Sequence, residues 1–373
     1  MKDEKDVFKE EKFIDEKEEH EKLKKNKPGG RVVTYPIDFT IGSLNEQISK
    51  NNIVMDDDFQ RRLVWNPTKS SKLIESLFMN VPIPVCYFAE LDDGKYSVID
   101  GKQRLGSIRK YFLNNLNLRR LECFSELNST KYEELKPNQK RILESRTIRC
   151  IVILKESDPG IKYEIFERLN MNAIPLNKQE LRNSIHRGKL NDLLKLLAKD
   201  KVFQKIRGVR DEDLRMNDQE LILRFFAFYE KISSYQPPLA DFLDSYLESG
   251  KNADEERIKK MQELFSDTIE KVNYVFDEKA FRKYDSDKKT WENRINRAIY
   301  DVIMFSFSNL SLDKIKEKKE KIINSFKKIC GNEKFVNAIT TWTKQTTAIE
   351  IRLNEWFDEL SKIDLRLKKV KIG

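Results

Sequence analysis

Residues 85–105 leave the chain few options. Val85, Cys86, Tyr87 and Phe88 form a β-prone run, and Asp93-Gly94 is a strong hairpin signal. Tyr96, Val98 and Ile99 then make a second run suited to a buried strand. Immediately afterwards Leu105, Ile108 and Phe112 recur at helical spacing, so a hairpin must hand over to a helix within a few residues. The junction reads Asp100-Gly101-Lys102-Gln103-Arg104. Gly101 allows a positive φ or a close ligand approach at that point. A helix start presents unpaired N–H groups and the positive end of the dipole, and so attracts anions. Lys102 and Arg104 stand where the dipole prefers acidic residues. Two arrangements answer this: a phosphate held between the cations, or Asp100 capping the helix with the cations in solvent.

On either side the elements are short and mixed. Residues 32–35 read as a strand, 41–48 as a helix capped by Ser43, and 53–55 as a strand, with Phe59-Gln60-Arg61 closing an acidic turn. Asn66 makes a good N-cap with Pro67 at the first helical position. Leu73, Ile74, Leu77 and Phe78 form the buried stripe of that helix, and Pro82 and Pro84 stop it. Trp65, just before it, reads as a core anchor. Polar helices and loops fill 105–147, residues 147–154 are the last clear strand, and 161–170 with 176–185 complete a domain closed by Gly188. Beyond it, 190–197, 220–229, 241–247, 255–275, 291–307, 312–329 and 347–360 all show helical apolar spacing. The expected fold class is α+β: a charged tail over 1–30, an α+β domain over 31–190 and an all-α bundle of six or seven helices over 191–373.

A chain of 373 residues, 39% of them hydrophobic, can bury two cores, and 36% charged residues predict long solvated helix faces. The net charge of +9 suits a polyanionic partner such as DNA. Cys86, Cys123, Cys150 and Cys330 lie far apart with no Cys-x-x-Cys pair, which reads as reduced thiols, neither disulfide framework nor zinc site. No apolar run reaches membrane-spanning length and the charged N-terminus lacks a signal-peptide core, so a cytoplasmic protein without membrane contact is expected. Neither Gly-x-x-x-x-Gly-Lys-[Ser/Thr] nor Gly-x-Ser-x-Gly occurs, which sets aside P-loop and Ser-His-Asp chemistry.

Three blocks stand in a telling order: Phe59-Gln60-Arg61-Arg62-Leu63-Val64-Trp65-Asn66-Pro67, the 100–104 turn, and Phe166-Glu167-Arg168-Leu169-Asn170-Met171-Asn172 with Gln179-Glu180-Leu181-Arg182 behind it. Together, over residues 35–190, they resemble the ParB/sulfiredoxin-like N-terminal domain of GmrSD-type, modification-dependent restriction proteins. The family turn reads Asp-Gly-Gln-Gln-Arg, and Lys102 here adds a charge. The resemblance implies a turn that cradles nucleotide phosphates. Gly101 and the amides of Lys102 and Gln103 would hold them, with Arg104 and Arg61 neutralising charge through forked hydrogen bonds and Gln60 close by in the phosphate-binding set. Asp100 would bind Mg²⁺ or orient an attacking water, and Asn170 and Glu180 would lie near the phosphates, against metal or ribose. Asp100, Arg104 and Glu180 are then the catalytic candidates. The plain alternatives are an ion pair of Asp100 with Arg61 or Arg104, a capping role for the Asn170 block, and a pairing of Glu180 with Arg182 or Arg168.

The resemblance therefore implies a nucleoside triphosphate and Mg²⁺ as cofactors, with nucleotide binding or hydrolysis gating DNA engagement in restriction or anti-phage defence. Endonuclease action by the same domain is a further option. The alternative is a non-catalytic DNA-binding or adaptor module that recruits a separate nuclease subunit. A His-Asn-His nuclease, the usual partner domain, needs more histidines than His20 and His186, the latter read as a surface helix residue. Sulfiredoxin chemistry needs a cysteine in the turn, and none is there. In the helical half, the Lys314–Lys328 lysines read as a solvated face. Asn293, Arg294 and Arg297 on one helix, with Thr346 and Arg352 on another, are candidates to reach nucleotide or DNA.

Overall fold

The computed structural model describes residues 32–55, 65–157, 177–213 and 215–373, apart from the side chains of Ser184 and Ile185. The chain forms two compact units, one within Lys24–Asn177 and one within Lys178–Gly373. The break thus falls ahead of Gly188, where the sequence places it, and the helix after Asn177 joins the second unit.

The first unit is built on a five-stranded mixed sheet. Its elements are β1 (Thr34–Thr40), α1 (Ile41–Ser49), β2 (Ile53–Val54), α2 (Pro67–Phe78), β3 (Cys86–Glu90), β4 (Tyr96–Asp100), α3 (Lys102–Phe112), α4 (Pro137–Ser145) and β5 (Thr147–Ile153). The strand order is β1-β5-β3-β4-β2. β5 lies antiparallel to β1 and parallel to β3, and β4 is antiparallel to β3 and parallel to β2. β5 alternates as a sheet with one covered face must: Ile148, Cys150 and Val152 are buried, while Thr147 and Arg149 are exposed. On the open face Arg149 grips its cross-strand partner Asp38 through two bonds of 2.9 and 2.8 Å.

Local chemistry explains most boundaries. Asn66 Oδ1 accepts from Lys69 N at 2.9 Å and Pro67 opens α2, as expected. Leu73, Ile74, Leu77 and Phe78 are all buried. The 93–94 hairpin turn closes with Gly94 at φ 78°. The cap of α1 differs from expectation: β1 runs on to Thr40, whose Oγ1 accepts from Ser43 N at 3.1 Å, so Ser43 is the capped residue rather than the cap. The irregular segment after α3 is held by Glu75, whose Oε1 accepts from the N–H groups of Glu122 and Cys123 at 2.7 Å and Phe124 at 3.2 Å.

The second unit contains α5 (Lys178–Ile185), α6 (Lys189–Leu197), α7 (Lys201–Arg207), α8 (Asn217–Lys231), α9 (Leu239–Ser249), α10 (Glu255–Phe276), α11 (Arg297–Ser308), α12 (Leu312–Ile329), α13 (Glu333–Thr340) and α14 (Thr346–Ser361). These wrap one apolar core in which Trp356, Phe203, Phe226 and Tyr300 are fully buried. The unit is not all-α. β6 (Arg282–Asp285) and β7 (Thr290–Ile295) form a hairpin where the spacing of Trp291, Ile295 and Ile299 suggests a helix from 291. Tertiary packing overrides that period: Trp291 stacks on Phe326 at 5.9 Å and meets Tyr284 edge-on at 5.3 Å. Asn293 and Arg294 therefore lie exposed on a strand and only Arg297 begins the helix.

Candidate functional site

The 100–104 turn forms where β4 meets a bulge. Tyr87 pairs with Asp100 but Phe88 with Val98, so one extra residue is absorbed just before the chain turns. Gly101 then takes φ 100°, a left-handed conformation, and serves as the N-cap of α3. As N-cap, Gly101 brings no side chain to this helix start, and the first turn of α3 has no acidic residue. A Cβ at Gly101 would run into the Cys86 Sγ and come within 3.0 Å of its Cβ. The glycine is thus required twice over, by backbone and by space.

Arg104 folds back over the turn. Its Nη2 lies 2.6 Å from Asp100 Oδ2, while Nη1 donates to the carbonyl of Pro84 and, at 3.3 Å, of Val85. The Arg104 side chain is 11% exposed and that of Asp100 30%, so the guanidinium is sheltered and the carboxylate opens to solvent. Gln103 Oε1 accepts from Trp65 N at 3.2 Å. Trp65 itself packs on the sheet unit's core with Lys69 Nζ 4.6 Å above its ring, in keeping with an anchor. Ser107 Oγ, one turn into α3, meets Ser70 Oγ of α2 at 2.9 Å and so fixes the helix. Beneath the turn Cys86 and Cys150 pair across β3 and β5. The hydrogen bond from Cys150 holds the Cys86 thiol below its usual range, against burial and with help from Arg104. The same bond and burial push the Cys150 thiol up.

This geometry brings Asp100, Gly101, Lys102, Gln103 and Arg104 together at one helix start. Gln60, Arg61 and Asn170 lie outside the described residues, as do Arg62, Glu167, Arg168 and Asn172. Glu180 is in the other compact unit: on α5 its Oε2 lies 3.6 Å from Arg215 Nη2, not against Arg182. Arg182, 2% exposed, instead reaches Asp244 at 2.6 Å and Glu220 at 3.2 Å. Asn183 Nδ2 donates to Gln219 Oε1 at 2.5 Å. This motif is therefore part of the helical core. His186 is buried, not a surface residue, with Nδ1 2.6 Å from Glu248 Oε2.

The helical unit holds groups that sequence reasoning misplaced. Arg352, a candidate for ligand contact, is fully buried and shares Asp301 with Arg224, at 2.8 and 2.6 Å. Asp301 is a lone acid in the apolar run 298–307, and that isolation is the signal of a buried charge partner. Glu220 also went unremarked. Burial raises its carboxyl, but Arg297, Arg182, Arg224 and Lys344 together outweigh burial and hold it at about 2.

The fit to the implied groups is uneven. A glycine-headed helix start beside Lys102 and Arg104 has the kind of donors a phosphate needs. For Mg²⁺ the turn offers one carboxylate, Asp100, which is enough where nucleotide phosphates and waters complete the shell. Among the described residues no group of three or more His, Cys, Asp and Glu side chains gathers to hold a metal by itself. No helix of the described residues is long and apolar enough to cross a membrane.

Comparison with curated proteins and with solved structures yields no match to the chain. A family model described as GmrSD restriction endonuclease, N-terminal domain, matches residues 41–187. The match takes in α1, the hairpin, the turn and α5, so this segment of the chain is similar to a GmrSD-type N-terminal domain.

Proposed function

We propose that this is a nucleotide-dependent, DNA-targeting protein of prokaryotic restriction or anti-phage defence, with the 100–104 turn as its phosphate seat. The observation that carries the reading is the glycine turn at the α3 start, where Gly101 is left-handed and Arg104 is tethered to a carboxylate that opens to solvent. Arg104 would exchange Asp100 for phosphate oxygens, which its fork accepts as readily as a carboxylate. Asp100, released on the solvent side, then serves as a metal ligand or orients water. Mg²⁺, when bound, neutralises charge between the phosphates. Nucleotide binding gates DNA engagement by favouring one conformational state over another.

A second reading draws on the same bonds. Asp100 and two backbone carbonyls already occupy Arg104, as a purely structural bridge would require, and this favours a DNA-binding or adaptor module that recruits a separate nuclease. Calorimetry on Arg104→Ala with GTP, ATP and CTP separates the two. The nucleotide reading expects at least a tenfold loss of affinity with an unchanged far-UV spectrum, and phosphate release that depends on Asp100. Unchanged affinity in the variant removes the phosphate seat, and DNA binding without nucleotide turnover supports the adaptor.

A further inference from the structure

Beyond α14 the chain turns back on itself. Asp364 takes a left-handed φ of 58° and Leu365 N donates to Leu360 O at 3.0 Å, which closes the helix end. From α12, Lys318 Nζ donates to the carbonyl of Ile363 at 2.8 Å. Residues 365–373, which follow, belong to no helix or sheet, yet they are firmly seated. Asn354 of α14 pairs with both the N–H and the carbonyl of Val370, each at 2.9 Å. Ile372 N donates to Glu350, and Gly373 N to Ser233 O at 3.1 Å. Leu365 and Ile372 are buried, and Leu367 and Val370 pack against the helical core.

What this seating leaves outside is charge of one sign. Arg366, Lys368, Lys369 and Lys371 are exposed, and the segment holds no acidic residue. A local surplus of four positive charges in nine residues compares with +9 over all 373. The acids of the helix beneath do not cancel it. Glu350 accepts from Ile372 N, and Glu355 accepts from Asn332 Nδ2 at 3.3 Å. Asp358 holds Lys369 at 2.9 Å, and Glu359 lies between Lys328 and Lys362. Asp364 lies 3.5 Å from Lys318 Nζ. Among the described residues Arg366, Lys368 and Lys371 enter no ion pair, so three like charges stand on one pinned main chain. Such a row repels itself until an anion is laid along it, and its ordered backbone lowers the entropic cost of binding one.

We propose that residues 365–373 form a phosphate-contact ridge for double-stranded DNA, with Arg366, Lys368 and Lys371 on the backbone of the duplex. Contacts of this kind hold register and orientation without reading bases. The segment's apolar side chains pack inward and none is left exposed to enter lipid, so a membrane is the poorer match. The choice of DNA among polyanions rests on the proposed function above, but no residue of the 100–104 turn takes part.

Full-length protein is titrated against a fluorescent DNA duplex across a salt series, alone and with each of GTP, ATP and CTP. Anisotropy is compared under the condition that binds tightest. Each of Arg366→Ala, Lys368→Ala and Lys371→Ala flattens the slope of log affinity against log salt by about 0.9, and the triple variant by about 2.7. Arg366→Lys keeps the wild-type slope. Lys259, Lys260 and Lys288, each already beside a carboxylate, supply the control. Replacing those three by Ala removes the same formal charge and leaves the slope nearly unchanged. All these side chains are exposed, so the variants keep the wild-type melting curve. A wild-type slope in the first triple variant, or an equal loss in both triples, overturns the ridge and leaves the DNA-targeting reading standing. Tighter wild-type binding to phosphatidylserine vesicles than to the duplex overturns it in favour of a membrane. Wild type that binds no duplex under any condition overturns the ridge and the DNA-targeting reading together.

Discussion

Asp100 and Asp301 each hold an arginine at 2.6 Å, yet the two settings have little else in common. Asp301 is 3% exposed and bridges two guanidiniums that are 1% and 0% exposed, deep among the helices. Asp100 is 30% exposed and holds one guanidinium at the helix start headed by Gly101. A buried charge with every partner in place cannot leave its partners without stranding them. A carboxylate at the surface can, because water takes over its solvation at little cost. The helical clasp is built to stay closed, and the turn is built so that its anion is exchangeable.

Three further measurements press on this contrast. Asp301→Asn strips Arg224 and Arg352 of their shared counter-charge, and urea unfolding should register a loss of about 3–5 kcal/mol with little change in slope. Glu220 gives a smaller effect that depends on pH. Its folded carboxyl lies at about 2 against an ordinary 4.5, a depressed value, so its stabilisation is fully present above pH 4.5 and is lost as pH falls toward 2. That span corresponds to about 3 kcal/mol at most, and Glu220→Gln should flatten the wild-type stability profile between those pH values. The smallest change is expected from Asp100→Asn, under about 1 kcal/mol by the same urea method. A loss there as large as that in Asp301→Asn would make the turn a second fixed clasp and end its candidacy as a phosphate seat.

Much of the sheet unit is legible in one dimension because its signals are local. Asn66-Pro67 caps and opens a helix within three residues, Asp93-Gly94 closes a hairpin, and Gly101 has one backbone role that other residues cannot fill. The order of the blocks around that turn was likewise enough to indicate the family that residues 41–187 match. The helical unit reads well only where amphipathic spacing governs, as in Leu312–Ile329. At Trp291 that spacing misleads, because the aromatic stack with Phe326 and Tyr284 rewards a strand.

What the chain's own order determined is the hairpin, its left-handed glycine, and the cations at the head of α3, since each follows from bonds between near neighbours. Only the tertiary structure decided which charges are partners. Arg352 meets Asp301 from 51 residues away, and Arg182 meets Asp244 from 62. Tertiary structure alone also separated Trp342 from Phe281: both share one strained backbone, but only packing makes one a core residue and leaves the other facing water. Ion pairs and burial depend on which surfaces meet in space, and no periodicity along a single chain records that.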